Sequence, residues 1–284
     1  LITGAARGIG AGVAERFYSK GANVALVGLE PERLEALATR LGERAQAFAA
    51  DVTDYDALER AVNATVQRFG GIDVAIANAG IAFTGALATS PIEHVERTLA
   101  VNMLGVWRTD RAVIKHIVER RGYLLNISSL SAVTHAPMMG PYTAAKSAVD
   151  ALSDALRLET APSGARVGCA YFGFIDTDLV RASFDQPSTQ AMMGRMPGFV
   201  SNPIPVAKAV DAIERGVERR SARVYAPRWV GAALALRGVL QPLIERGMLA
   251  DTGGLQEALR ISDPASGQAP EEDPILGVAA RVLR

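Results

Sequence analysis

Short apolar runs alternate with amphipathic stretches from the first residue to about residue 226. The runs Leu1–Thr3, Asn23–Gly28, Ala45–Ala49, Val74–Ala77, Tyr123–Ser128, Arg166–Phe172 and Arg223–Ala226 read as strands. Near-continuous apolar strands belong to a parallel sheet buried on both faces. Between them, Gly8–Ser19, Pro31–Leu41, Asp54–Phe69, Ile92–Val118, Tyr142–Thr160 and Pro203–Arg219 carry a helical period. This βα punctuation predicts an α/β fold: a doubly wound parallel sheet of about seven strands with helices on both faces.

Beyond residue 226 the pattern turns helical. Leu236, Val239, Leu240, Leu243 and Ile244 make one stripe, and Pro242 is expected to kink or restart the helix. We expect residues 1–226 to form one catalytic domain, with 227–262 as its C-terminal helical extension and 263–284 as a flexible linker and tail. The stripe is expected to cap the core or a subunit interface; a lid or a membrane-surface helix is the alternative. The long connection 178–205 is expected to be a loop. Because Leu1-Ile2-Thr3 reads as the end of a strand, residues upstream of it are expected.

Composition narrows the function classes. Thirty basic residues balance thirty acidic ones with no block of one sign, which argues against nucleic acid as a partner. The single cysteine, Cys169, rules out an internal disulfide and any cysteine-based zinc site, and it fits a reducing cytoplasm. No ligand cluster suggests a metal. The most apolar late stretch, Val230 to Ile244, is too short to span a membrane.

Two motifs carry chemistry. The first is the glycine turn Thr3-Gly4-Ala5-Ala6-Arg7-Gly8-Ile9-Gly10, which follows a strand and opens a helix. There, backbone N–H groups at a helix N-terminus can meet a pyrophosphate. The second is Ser129 followed by Tyr142-Thr-Ala-Ala-Lys146. Residues four apart on a helix share a face, and an ammonium beside a phenol is expected to lower the phenol's pKa from about 10. Ser128 and Ser131 are alternatives to Ser129. Asp51-Val52 and Asn78-Ala79-Gly80 fall at strand carboxyl ends, where ligands bind in open α/β sheets.

Taken in order, Thr-Gly-x3-Gly-x-Gly, Asn-Ala-Gly, Asn102, Ser129 and Tyr-x3-Lys resemble the short-chain dehydrogenase/reductase family, with its Rossmann-type fold, over residues 1 to about 226. The resemblance implies a catalytic tetrad of Asn102, Ser129, Tyr142 and Lys146. In it Tyr142 is acid or base, Ser129 binds the substrate oxygen, Lys146 holds the nicotinamide ribose and Asn102 keeps a water in the proton relay. It implies cofactor contacts at Gly4, Arg7, Gly8, Ile9, Gly10, Glu30, Asp51, Val52, Asn78, Ala79, Gly80, Tyr142, Lys146, Gly173, Ile175 and Thr177. Phe172 departs from the family's usual proline and is expected to reshape the nicotinamide end. At the end of strand two, Gly28 and Leu29 replace the usual NAD acid and NADP arginine, and Glu30 tips the expectation toward NAD over NADP. Glu30 as a plain helix N-cap is the competing reading.

His135, Met138, Met139, Phe184, Met192 and Met193 are expected to line an apolar substrate pocket, together with Met196 and Phe199. The expected activity is NAD(P)-dependent interconversion of a lipophilic secondary alcohol and its carbonyl compound. The long helices resemble those with which the family builds homodimers and homotetramers. Rival readings are a non-catalytic nucleotide-binding regulator, an epimerase or dehydratase on a related fold, and a membrane-attached scaffold.

Overall fold

In the computed structural model, residues 1–193, 198–250 and 252–263 are described. Met196 and the tail 264–284 lie outside the described residues, as do the side chains of Met192 and Met193. The elements run β1 (Ile2–Thr3), α1 (Gly8–Ser19), β2 (Val24–Gly28), α2 (Pro31–Leu41), β3 (Ala45–Ala49), α3 (Tyr55–Phe69) and β4 (Val74–Ala77). There follow α4 (Ile92–Leu99), a π-helical turn (Ala100–Leu104), α5 (Gly105–Glu119), β5 (Tyr123–Ile127), α6 (Gly140–Thr160) and β6 (Arg166–Phe172). The chain continues through α7 (Asp178–Phe184), α8 (Pro187–Met193), α9 (Gly198–Ser201), α10 (Val206–Arg219) and β7 (Arg223–Ala226). It closes with α11 (Trp229–Ala235), α12 (Arg237–Ala250) and α13 (Gly253–Ser262).

All seven strands are parallel, in the order β3-β2-β1-β4-β5-β6-β7. Each lies within one residue of its expected bounds. The short β1 lies between β2 and β4, with Ile2 opposite both Leu26 and Ile76. The chain builds outward from β1 on one side and then crosses to β4 on the other. A crevice therefore opens between the carboxyl ends of β1 and β4, the usual ligand position of such sheets.

The structure departs from one expectation and narrows two others. The connection 178–205 is not a loop but holds α7, α8 and α9: the Thr177 side chain accepts from the Val180 N–H at 3.3 Å and so starts a helix there. No new helix starts at Pro242, since α12 runs through it; the break lies at Leu236, between α11 and α12. The apolar stripe meets the core at Leu240, which packs against the cluster that includes Leu130, Val133 and Val230. Leu236, Val239 and Leu243 remain more than half exposed.

Beneath the crevice lies a buried polar cluster. Asn126 Nδ2 on β5 donates to Asp110 Oδ2 of α5 at 2.8 Å and to Ser153 Oγ of α6 at 3.1 Å. Burial pushes the Asp110 carboxyl up to about 8, with the Asn126 bond pulling the other way. Between pH 4 and 8 the unfolded chain therefore holds fewer protons than the folded one, and stability falls as pH rises. The loss per pH unit is up to about 1.4 kcal/mol for this one proton. Asp110→Asn keeps an acceptor for Asn126 and removes the titration. The expected result is that thermal melts at pH 5 and pH 8 favour the variant increasingly at the higher pH; parallel curves would count against a protonated Asp110.

Candidate active site

The glycine turn is shaped by its backbone. Gly4 and Gly8 take φ of +64° and +55°, the left-handed region where a side chain strains. Gly10 is packed instead of twisted: a Cβ there would lie 2.3 Å from the Gly4 carbonyl oxygen. Asn78 fixes the same turn by donating from Nδ2 to the Thr3 and Gly4 carbonyls at 3.0 and 3.2 Å. The Thr3 hydroxyl accepts from the backbone N–H of Asn78 and Ala79 at 3.0 and 3.2 Å, a pinning role that sequence reasoning missed. The α1 N-cap residue, Arg7, makes no side-chain cap and the first turn has no acid, so the helix start presents its N–H groups to an anion.

Above this turn runs a cavity of about 460 Å³. Every expected cofactor residue lines it except Gly10, which supports the turn from below. The size, the glycine cradle and the helix start fit a dinucleotide.

At one end, Glu30 pairs with Arg7 at 2.7 Å and with Arg33 at 3.3 Å. Glu30 stands at the α2 N-cap position but makes no side-chain cap bond, so its carboxylate serves the cavity wall and not the helix. Asp51 accepts from the Thr53 N–H at 2.8 Å and pairs with Arg97 at 3.1 Å; these bonds outweigh burial and hold its pKa below the ordinary value. Asp54, not Asp51, caps α3. Arg97 also lines the cavity. No local signal in the sequence links it to Asp51, 46 positions away.

At the other end, α6 presents Tyr142 and Lys146 beside Ser129. The Lys146 Nζ donates to the Ile127 carbonyl at 2.8 Å and sits 5.7 Å from the Tyr142 ring centre. Ser128 spends its hydroxyl on the Lys146 carbonyl at 2.9 Å, and Ser131 does not reach the cavity. Ser129 accepts from the Ser131 N–H at 3.1 Å and lines the cavity together with Tyr142.

The expected lowering of the tyrosine pKa is not found. Burial raises it, the Ser129 side chain opposes that rise, and Lys146 is not among the groups that move it. The lysine itself is pulled down to about 8 by burial, which weakens its hold as a fixed cation.

Asn102 is fully buried in the π-helical turn and outside the cavity lining. Its amide closes a ring on Ile81, accepting from the N–H at 2.8 Å and donating to the carbonyl at 2.7 Å. It remains close to the site, since a Cβ on Gly80 would lie 3.1 Å from Asn102 Oδ1 and 3.7 Å from Lys146 Nζ. Such π turns open the helix ladder and often mark functional positions.

Four of the expected substrate residues lie outside the lining of this cavity. His135 is exposed, Met138 is buried against Ala86, Met139 is the α6 N-cap, and Phe184 packs edge-on to Phe174 with ring centres 4.9 Å apart. None of these four lines the cavity, whose apolar wall comes from Phe172, Ile175 and, on α7, Leu179, Val180 and Ala182. The α7 residues were missed because the segment read as a loop.

A family model described as short chain dehydrogenase matches residues 1–188. The chain belongs to the short-chain dehydrogenase family. As a member it is an oxidoreductase acting on CH–OH groups with NAD or NADP. It is 33% identical to the 2-(R)-hydroxypropyl-CoM dehydrogenase of Xanthobacter autotrophicus over 69% of this chain and 82% of that one. It is 31% identical to 3beta-hydroxysteroid dehydrogenase 1 of Eggerthella lenta over 74% and 83%. The 3-ketoacyl-(acyl-carrier-protein) reductase of Brucella melitensis, solved with NADH, superposes with a TM-score of 0.68 at 26% identity, covering 79% of this chain and 94% of that one. No described helix of this short-chain dehydrogenase is long and apolar enough to cross a membrane.

Proposed function

We propose that this dehydrogenase interconverts an apolar secondary alcohol and its ketone, with Tyr142 moving the proton and NAD the preferred cofactor. The observation that carries the reading is convergence: Ser129, Tyr142 and Lys146 line the same cavity as the glycine turn and Glu30. When bound, the nicotinamide supplies or accepts the hydride. Gly4, Gly8 and the start of α1 hold the pyrophosphate by backbone N–H groups. Lys146 holds the ribose, and Gly173, Ile175 and Thr177 hold the carboxamide end.

In reduction, Ser129 donates to the carbonyl oxygen and Tyr142 delivers the proton as charge develops there. In oxidation, Tyr142 takes the proton back. Its raised pKa in the free protein favours the acid form. Lys146, near its own midpoint at about 8, passes protons onward with Asn102 ordering a water beside it. The apolar wall of Phe172, Ile175, Leu179 and Val180 supports an apolar substrate. Exposed Trp107 on α5 and Leu158 on α6 support a homo-oligomer.

The test is calorimetry with NAD(H) and NADP(H), then turnover of a 2-alkanol series, a 3β-hydroxysteroid and a 3-oxoacyl thioester at nicotinamide absorbance. NADH binding with turnover in this panel supports the reading; a strong preference for NADPH overturns the NAD assignment. Glu30 bears on that choice directly. Glu30→Ala frees Arg7 from its pair and removes a carboxylate that would repel a 2′-phosphate. The expected result is a shift of about tenfold toward NADP in the ratio of dissociation constants, on the order of 1.4 kcal/mol.

A further inference from the structure

The segment between Ser129 and Tyr142 is held from outside by the last two helices. Gln241 on α12 uses its side-chain amide on both backbone groups of His135: Oε1 accepts from the N–H at 2.8 Å and Nε2 donates to the carbonyl at 3.3 Å. The same Nε2 donates to Glu245 Oε1 at 2.9 Å, one turn along, which fixes the orientation of the amide. Arg237 anchors the start of α12 on Asp150 at 3.1 Å, one turn beyond Lys146 on α6, and Asp150 also accepts from the Tyr171 hydroxyl. Leu240 packs against the core cluster that includes Leu130 and Val133. On α13, the fully buried Ala258 closes over Met138 and Ala86. Met138 takes φ of +68°, a conformation that costs a side-chain-bearing residue energy and needs neighbours to hold it.

The segment has its own short turn, in which the N–H groups of Ala132, Val133 and Thr134 bond back to Ser129 and Leu130. From His135 to Met138 the bonds go outward instead, to Gln241 and, through the Met138 carbonyl, to the Gly85 N–H at 2.8 Å. We infer that α12 and α13 are a brace that sets the spacing of Ser129 and Tyr142, and that Gln241 is its positioning residue. The inference rests on the proton role proposed for Tyr142, while the brace itself is measurable without turnover. It also gives residues 237–258, which lie outside the matched family region of 1–188, a task at the catalytic segment.

The experiment is hydrogen exchange with mass spectrometry on the full chain and on Gln241→Glu. This near-isosteric change removes both Nε2 donors and sets a carboxylate against the His135 carbonyl and Glu245. Exchange across 133–139 is expected to rise about tenfold, the scale of losing such bonds. Peptides of β2 and α2 should exchange as before, and NADH should bind within about twofold of wild type. With the alcohol that the panel shows to turn over fastest, kcat should fall while KM for NAD stays put. Arg237→Gln, which leaves His135 untouched, should loosen α12 and produce a smaller rise across 133–139.

Wild-type exchange at 133–139 in Gln241→Glu, with α12 itself exchanging faster, would overturn the brace. So would acceleration spread evenly through the sheet, which would make α12 a general stabiliser. If nothing in the panel is turned over by the wild type, the substrate reading fails separately and the exchange data still decide the brace.

Discussion

Tyr142→Phe is expected to lower kcat by about 10²–10⁴, the usual worth of a positioned acid or base. The phenyl ring keeps the shape at the start of α6, so the cavity wall and the Lys146 bond to Ile127 persist. What disappears is the hydroxyl beside Ser129 that would deliver the proton. NADH should therefore bind the variant as it binds the wild type, within a factor of about two, because the glycine turn and Glu30 are untouched. Steady-state rates at nicotinamide absorbance, paired with calorimetry, separate the two effects. Equal turnover would move the proton to another group, with Ser129 the nearest hydroxyl. Loss of binding together with rate would make Tyr142 a structural residue of the cavity.

Gly10→Ala should have the largest effect on the fold. The new methyl would sit 2.3 Å from the Gly4 oxygen and 2.8 Å from Asn78 Nδ2. Neither neighbour is a free chain end: the first is backbone, and the second is tied to Thr3 and Gly4. Overpacking typically costs about 1–3 kcal/mol, and a clash against backbone belongs at the upper end. A loss of about 3 kcal/mol lowers Tm by roughly 6–12 °C in a chain of this size. NADH binding should be lost with it, since the displaced turn is the one proposed to cradle the pyrophosphate. Gly238→Ala on α12 is the matched control: a Cβ there meets nothing within 4 Å. Removing a helical glycine is worth up to about 1 kcal/mol in the other direction. Equal melting temperatures for the two variants would mean that the turn can relax.

Much of this molecule is legible because its signals are local. Val24–Gly28 is a run of five buried residues, and it reads as a strand without reference to its partners. Tyr142 and Lys146 share a helix face by spacing alone. Gly4, Gly8 and Gly10 are required by backbone conformation and packing at one turn. The segment after Thr177 failed for a related reason: its place as the long connection beyond β6 suggested a loop, while the Thr177 side chain caps the start of α7. The α7 wall of the cavity went unseen with it. His135, Met138 and Met139 were chosen by type, and only the fold places them outside the cavity above the glycine turn.

The pattern of the chain by itself determined the parallel α/β sheet, the place of the glycine turn and the pairing of tyrosine with lysine on one helix. These follow from strand and helix periods and from the steric needs of glycine, all of which act over a few residues. Only the tertiary structure decided the sign of the Tyr142 shift, the Arg97 partner of Asp51, the Arg7–Glu30 pair and the hold of Gln241 on His135. The three pairs join groups 23, 46 and 106 positions apart in sequence, and the Tyr142 shift depends on how much water the surrounding fold leaves beside its hydroxyl. Burial and long-range contact set those energies, and neither is written in the spacing of residues along the chain.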